Sequence, residues 1–117
     1  FGDLTTTRDL MGSAASSVRG LFAGDGTPTF ANTIDFVTIA TTSNAIDFGD
    51  LVAPNYTPGA LASNIRAVFG GGSAPGDSNT NVMQFVTIAT TGDTSDFGDL
   101  TVGRRHVGGL SYHSINR

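Results

Sequence analysis

The chain repeats itself, and the period limits what it can build. Phe-Gly-Asp-Leu stands at residues 1–4, 48–51 and 97–100, so successive copies lie 47 and 49 residues apart. Ser-x-x-Arg recurs at 16–19, 63–66 and 114–117, and Phe-Val-Thr-Ile-Ala-Thr-Thr at 36–42 and 85–91. Between the Arg and the FVTIATT block lies a Phe followed by glycines, "RGLFAGDG" in one copy and "RAVFGGGS" in the other. The sequence therefore holds two full units and the beginning of a third. A unit of this length is one small supersecondary element that buries its faces against its neighbours.

Each unit reads as four short strands bounded by Gly, Pro, Asn or Asp. The first follows FGDL, around 8–15, 55–62 and 104–112. The second is 18–24 or 65–71, and the third is 34–42 or 83–91. The fourth ends in DFGDL. In the third strand Phe36, Thr38 and Ala40 fall on one face and Val37, Ile39 and Thr41 on the other. Neither face is strongly polar, so the strand calls for cover on both sides, which stacked sheets supply. Four short strands per unit is the pattern of a β-propeller blade.

Composition agrees. The chain has no Lys and no Glu, its ten acids are all Asp and its six bases all Arg. Wet helix faces use Lys and Glu heavily, whereas Gly, Thr, Ser, Asn and Asp with short Val, Ile and Phe runs suit strands and tight turns. A formal charge of −4 argues against a nucleic-acid partner. No apolar run reaches the ~18–20 residues of a membrane-spanning helix, and no signal peptide is visible. There is no Cys for disulfide or thiolate chemistry. With no initiator Met, the expectation is a fragment or a processed product.

The order of Arg, apolar strand, glycine cluster, strand and aromatic resembles the kelch repeat of β-propellers. Arg8 and Arg104 follow the FGDL turn, "FGGG" at 69–72 stands for the kelch double glycine, and Phe48 and Phe97 stand where kelch has its late Trp. The chain departs from kelch in having no Trp. More closely, "FVTIATTGDTSDFGDLTVGRR" (85–105) and "IRAVFGGG" (65–72) resemble repeats of large virion structural proteins of marine cyanophages and related tailed phages. That resemblance covers essentially the whole chain. It implies a non-enzymatic tail or appendage module, located in the virion and extracellular. Its expected partners are other copies of itself, neighbouring blades or virion proteins, with host-surface glycan as a candidate ligand and no cofactor.

The expected fold is thus all-β, with four-stranded antiparallel blades of a kelch-like propeller, or alternatively an open stacked repeat or fibre. Residues 1–4 read as the end of a preceding blade, 5–51 and 52–100 as blade units, and 101–117 as the start of a further blade. The alternative function is a glycan- or protein-binding propeller not from a phage.

Several motifs carry a sharper chemistry on paper. Asp47-Phe48-Gly49 and Asp96-Phe97-Gly98 match the kinase magnesium motif, but the Lys and Glu that a kinase needs are absent. The repeat favours a structural role instead: Phe packs between blades, Gly takes a turn conformation, Asp caps the turn and Leu re-enters the core. Gly70-Gly71-Gly72 leads into Ser73-Ala74-Pro75-Gly76, a loop, without the Lys of a phosphate loop. Asp77-x-Asn79-x-Asn81 opens like a calcium loop, but Val82 and Ile88 occupy its required glycine and distal-acid positions. Arg19, Arg66 and Arg117 are expected to bind turn Asp side chains or strand-end carbonyls of their own or the next blade. Asn55-Tyr56-Thr57 fits the N-glycosylation pattern, which matters only in a secretory pathway. "GRRHVGGLSYHS" (103–114) differs most from its siblings, so Arg104, Arg105, His106, Tyr112 and His113 are the candidate ligand or receptor contacts. His106 and His113 would lie ~23 Å apart in an extended strand, so a shared metal needs a turn between them.

Overall fold

The computed structural model describes residues 1–26, 31–76 and 78–109, and among them there is no helix. The first unit forms β1 (Gly12–Ala15), β2 (Arg19–Asp25), β3 (Ala31–Thr38) and β4 (Ile46–Asp50), paired in that order in one antiparallel sheet. The second unit forms β5 (Gly59–Ala62), β6 (Arg66–Gly70), β9 (Val82–Thr87) and β10 (Ser95–Asp99), also a four-stranded antiparallel sheet in sequential order. Between β6 and β9 lies a small hairpin, β7 (Ser73–Ala74) and β8 (Ser78–Asn79).

The strands follow the sequence reading with four adjustments. The first strands begin only at Gly12 and Gly59, later than the expected 8 and 55. The third strands begin and end earlier than 34–42 and 83–91. Thr41 and Thr90 donate to the carbonyls of Thr38 and Thr87 (both 3.2 Å), closing a turn inside the FVTIATT block. Ser73–Ala74, read as loop, pairs with Ser78–Asn79, because Pro75 and Gly76 turn the chain back and Gly76 takes φ 89°. Residues 104–109 contain no strand, and the rest of the third first-strand candidate lies outside the described residues, as do Asp77 and the third Ser-x-x-Arg.

Ser-x-x-Arg is the β1–β2 and β5–β6 turn. The Ser16 hydroxyl accepts from the Val18 and Arg19 amides, and Ser63 accepts from Ile65 and Arg66, all at 3.1 Å. Each Ser amide donates to its Arg carbonyl (2.9 Å). A short hydroxyl side chain satisfies turn donors that a helix or ladder would otherwise claim.

The core lies between the sheets. Sheet one contributes Leu21, Ala23, Ile34, Phe36 and Phe48; sheet two contributes Ala62, Ala67, Phe69, Val86 and Ile88. In each sheet the two residue sets stand on opposite faces, as strand alternation requires. The second sheet's counterparts of Leu21, Phe36 and Phe48 are Val68, Phe85 and Phe97, and these face outward. Phe48 is 3% exposed and Phe97 49%, so burial follows the neighbouring sheet rather than the residue type.

A hydrogen-bonded line crosses from unit to unit. Thr57 donates its amide to the Leu10 carbonyl (2.8 Å), and His106 donates to the Thr57 carbonyl (3.2 Å). Leu10, Thr57 and His106 hold φ of 55°, 54° and 54°, and among the described residues they are the only non-glycines with positive φ. Their spacing is 47 and 49 residues, so this conformation belongs to the repeat. A β-branched residue there is strained, and the buried Thr57 Oγ1 has no hydrogen-bond partner. Relief of ~1–3 kcal/mol outweighs the ~0.4–1 kcal/mol that glycine adds to unfolded-state entropy. Thr57→Gly is therefore expected to stabilise the fold by about 0.5–1 kcal/mol, read as a higher urea midpoint at unchanged slope.

Candidate functional site

The three sequence markers converge on one cluster per unit. Arg19 lies over the Phe36 ring, with its guanidinium carbon 4.4 Å from the centroid, and Phe48 meets Phe36 edge to face at 5.7 Å. Arg66, Phe85 and Phe97 repeat this at 4.5 and 6.0 Å. The Arg comes from the first turn, one Phe from FVTIATT and the other from DFGDL. Arg stacked on an aromatic face keeps its donors free to reach outward. Arg19 uses them across the seam, donating from Nη1 to the Ile88 carbonyl of sheet two (2.9 Å). Arg66, at the same place in sheet two, is exposed.

FGDL lies against the third-to-fourth strand loop of the neighbouring sheet. Gly92 donates to the Phe48 carbonyl (2.8 Å) and Thr94 to the Asp50 carbonyl (2.9 Å), while the Asp50 amide donates to Asp93 Oδ1 (3.0 Å). The first copy repeats this on sheet one. Ala45 donates to the Asp3 carbonyl (2.8 Å), and the Asp3 amide donates to Asn44 Oδ1 (3.0 Å). The cap at this turn thus comes from the neighbouring loop rather than from the motif's own Asp. Both glycines sit in close approach: at φ 155° a Cβ on Gly49 would strike the Gly92 carbonyl, and one on Gly2 would strike that of Ser43. At Gly98 the space is open.

Residues just after FGDL enter a buried polar pair. The Arg8 side chain lies 3.2 Å from Asp35 Oδ2 and donates to the Thr33 carbonyl (3.1 Å). Asp35, fully buried, accepts from the Thr5 amide (2.9 Å) and from its hydroxyl (2.8 Å). The second unit fills these positions with neutral groups. Gln84 Oε1 accepts from the Val52 amide (2.8 Å) and from the Thr94 hydroxyl (2.6 Å), and Asn55 donates to the Gly71 carbonyl (3.0 Å). Asn55 of the glycosylation pattern is therefore a buried joint residue, 4% exposed.

Asp50 has its carboxyl pKa raised above the ordinary value of 3.8, by partial desolvation first and then by the charges of Asp93 and Asp47. A raised carboxyl pKa opposes folding above that pKa and not below 3.8, where both states are protonated. Asn44 already holds the Asp93 position in sheet one. Asp93→Asn keeps the acceptor and removes a charge, so it is expected to raise the urea midpoint modestly at pH 7. That gain should vanish as the pH falls below 3.8.

The candidate contacts in the third unit divide. Arg104 and His106 have exposed side chains, and their backbones are held. Gly72 donates to the Arg104 carbonyl (2.7 Å), as Asp25 does to that of Asn55 (3.0 Å). Arg105 is half-buried, donating from Nε to Asn79 Oδ1 (2.6 Å) and from Nη1 to the Tyr56 hydroxyl (3.2 Å). Asn79, from the calcium-like triplet, is thus a partner of Arg105. Tyr112 and His113 lie outside the described residues. Sequence reasoning passed over Asp35, Asn44 and Asp93; position in the repeat was the signal, since each precedes or follows a marker at fixed spacing.

On the other side of the molecule a groove of about 370 Å³ is lined by Phe1–Leu4, Phe22, Val37, Ile39, Ser43 and Ala45. Phe22, Val37 and Ile39 hold the positions of Phe69, Val86 and Ile88, which sheet one covers in the second unit. Both outward sheet faces therefore carry unfilled halves of the same contact. These features define an all-β antiparallel repeat protein whose distinctive chemistry lies in the joint between sheets. No protein-family model matches the chain, and no curated protein resembles it significantly.

Proposed function

We propose that the chain is a non-enzymatic structural module of a phage virion: kelch-like propeller blades serving as tail or appendage scaffold and as a host-surface adhesion element. The observation that supports this best is that backbone contacts of the seam recur at the sequence period: Ala45 to Asp3 as Thr94 to Asp50, and Thr57 to Leu10 as His106 to Thr57. Such a joint adds units without new chemistry, which suits an extended scaffold. On this reading residues 1–4 end a preceding blade, 5–51 and 52–100 are blades, and 101–117 begin another. A closed propeller takes about 4–8 blades. Further blades from other copies or from neighbouring virion proteins complete the ring, or the units stack openly as a fibre.

Arg104, Arg105, His106, Tyr112 and His113 are the proposed receptor- or partner-facing residues, and a host-surface glycan is the proposed ligand. Antibodies raised against the chain should label tails or appendages of intact phage particles by electron microscopy, and the assembled protein should bind a glycan array. Glycan binding without particle labelling would favour a propeller lectin of other origin. Polysaccharide turnover abolished by His106→Ala would overturn the non-enzymatic reading.

A further inference from the structure

We infer that Phe97–Arg104 is a donor segment for the first sheet of a second copy of this chain, so that copies join head to tail by exchange. The inference rests on the modular reading above and names its joint.

The segment seated on sheet one is Phe1–Arg8, FGDLTTTR; the segment leaving sheet two is Phe97–Arg104, FGDLTVGR, identical at six of eight positions. The intervening copy, FGDLVAPN, shares only the first four. The residues that return are those the sheet-one seat uses. Thr5 gives its amide and hydroxyl to Asp35, and Arg8 pairs with the same carboxylate. Thr101 and Arg104 restore both, whereas Val52 and Asn55 match the neutral Gln84 seat of sheet two. The donor is thus written for an Asp35-type seat, and within the chain that seat is already filled by Phe1–Arg8.

The flanking surfaces agree with one orientation. Beside the donor, sheet two offers half-buried Val68, Met83 and Phe85 with exposed Phe97. Beside the acceptor, sheet one offers Phe22, Val37 and Ile39 around the apolar groove. These are the two halves of the contact that already joins the sheets. In the joint, Arg66 would donate to the Ile39 carbonyl of the second copy as Arg19 donates to that of Ile88, and the open space at Gly98 would receive the Ser43 carbonyl. Phe97–Arg104 takes the place of the second copy's Phe1–Arg8, and the chain after Arg104 moves aside. The contact uses different patches on the two copies, so it propagates as a chain or closes as a ring. It assigns Arg104 to the joint rather than to a receptor.

Sedimentation velocity on the full chain over a range of concentrations tests this. Mass should rise past the dimer with concentration. Arg104→Ala, at an exposed side chain that leaves the fold untouched, should weaken association by about tenfold or more, since it leaves Asp35 without its cation. Phe97→Asp blocks the donor face and Ile39→Asp the acceptor face. Each variant alone should be monomeric with the circular dichroism of the parent, and the two mixed should give dimers and nothing larger. A parent chain that stays monomeric at millimolar concentration, or association indifferent to Arg104→Ala and Phe97→Asp, would overturn the inference. Monomers that still label phage tails would sink the exchange alone; assembly without labelling would sink the virion reading alone.

Discussion

Gly49→Val is expected to destabilise the protein by at least ~3 kcal/mol, while Gly98→Val costs only about 1 kcal/mol. The two glycines share φ values of 155° and 149°, the same motif and the same fourth strand. They differ in what stands opposite. A Cβ on Gly49 meets the Gly92 carbonyl, which cannot yield without breaking the hydrogen bond from the Gly92 amide to the Phe48 carbonyl and parting the sheets. A Cβ on Gly98 meets nothing. Backbone conformation alone thus accounts for the smaller loss, and the seam for the difference. With total stabilities of about 5–15 kcal/mol for domains of this kind, the Gly49 variant should show a large drop in urea midpoint. Equal losses at both sites would mean that φ, and not the approach of the second sheet, requires glycine.

Removing one member of the Arg8–Asp35 pair is the second large effect. Both side chains are buried, at 1% and 0% exposure. A buried ion pair adds little net stability, because desolvation offsets the attraction, but breaking one strands a charge and costs ~3–5 kcal/mol. Asp35→Ala or Arg8→Ala should each cost that much in chemical denaturation. The second unit shows how the same position works without charge, through Asn55 and Gln84. Arg8→Asn combined with Asp35→Gln should therefore recover most of the loss, to within about 1.5 kcal/mol of the parent. A double variant as unstable as the sum of the singles would show that the charged pair is needed for more than filling its site.

The architecture was legible because it lies in spacing. Four strands per unit and the turn at Ser-x-x-Arg follow from markers that recur in one order. What stayed hidden depends on residues whose type does not announce their conformation or partner. Leu10, Thr57 and His106 share a left-handed backbone that their side chains disfavour, so only their register reveals it. The β7–β8 hairpin rests on two residues per strand, too short for any alternation to show. Arg8 reads like the other arginines, yet among the described residues it is the arginine whose side chain is buried, because Asp35 stands 27 residues away across the sheet. Arg104–His106 looked special by composition, but its backbone repeats that of its siblings; only the side chains differ. Phe48 and Phe97 are identical in local sequence and opposite in burial, which no local pattern can express.

The two sheets are held as one body by a seam that belongs to the repeat. Amide hydrogen exchange at Gly92, Thr94 and Thr57 tests it most directly, since these donors cross from unit to unit to Phe48, Asp50 and Leu10. They should exchange about as slowly as the amides within β6 and β9, through the same global opening. Exchange at loop-like rates while β6 and β9 remain protected would contradict it, because the sheets would then part without unfolding.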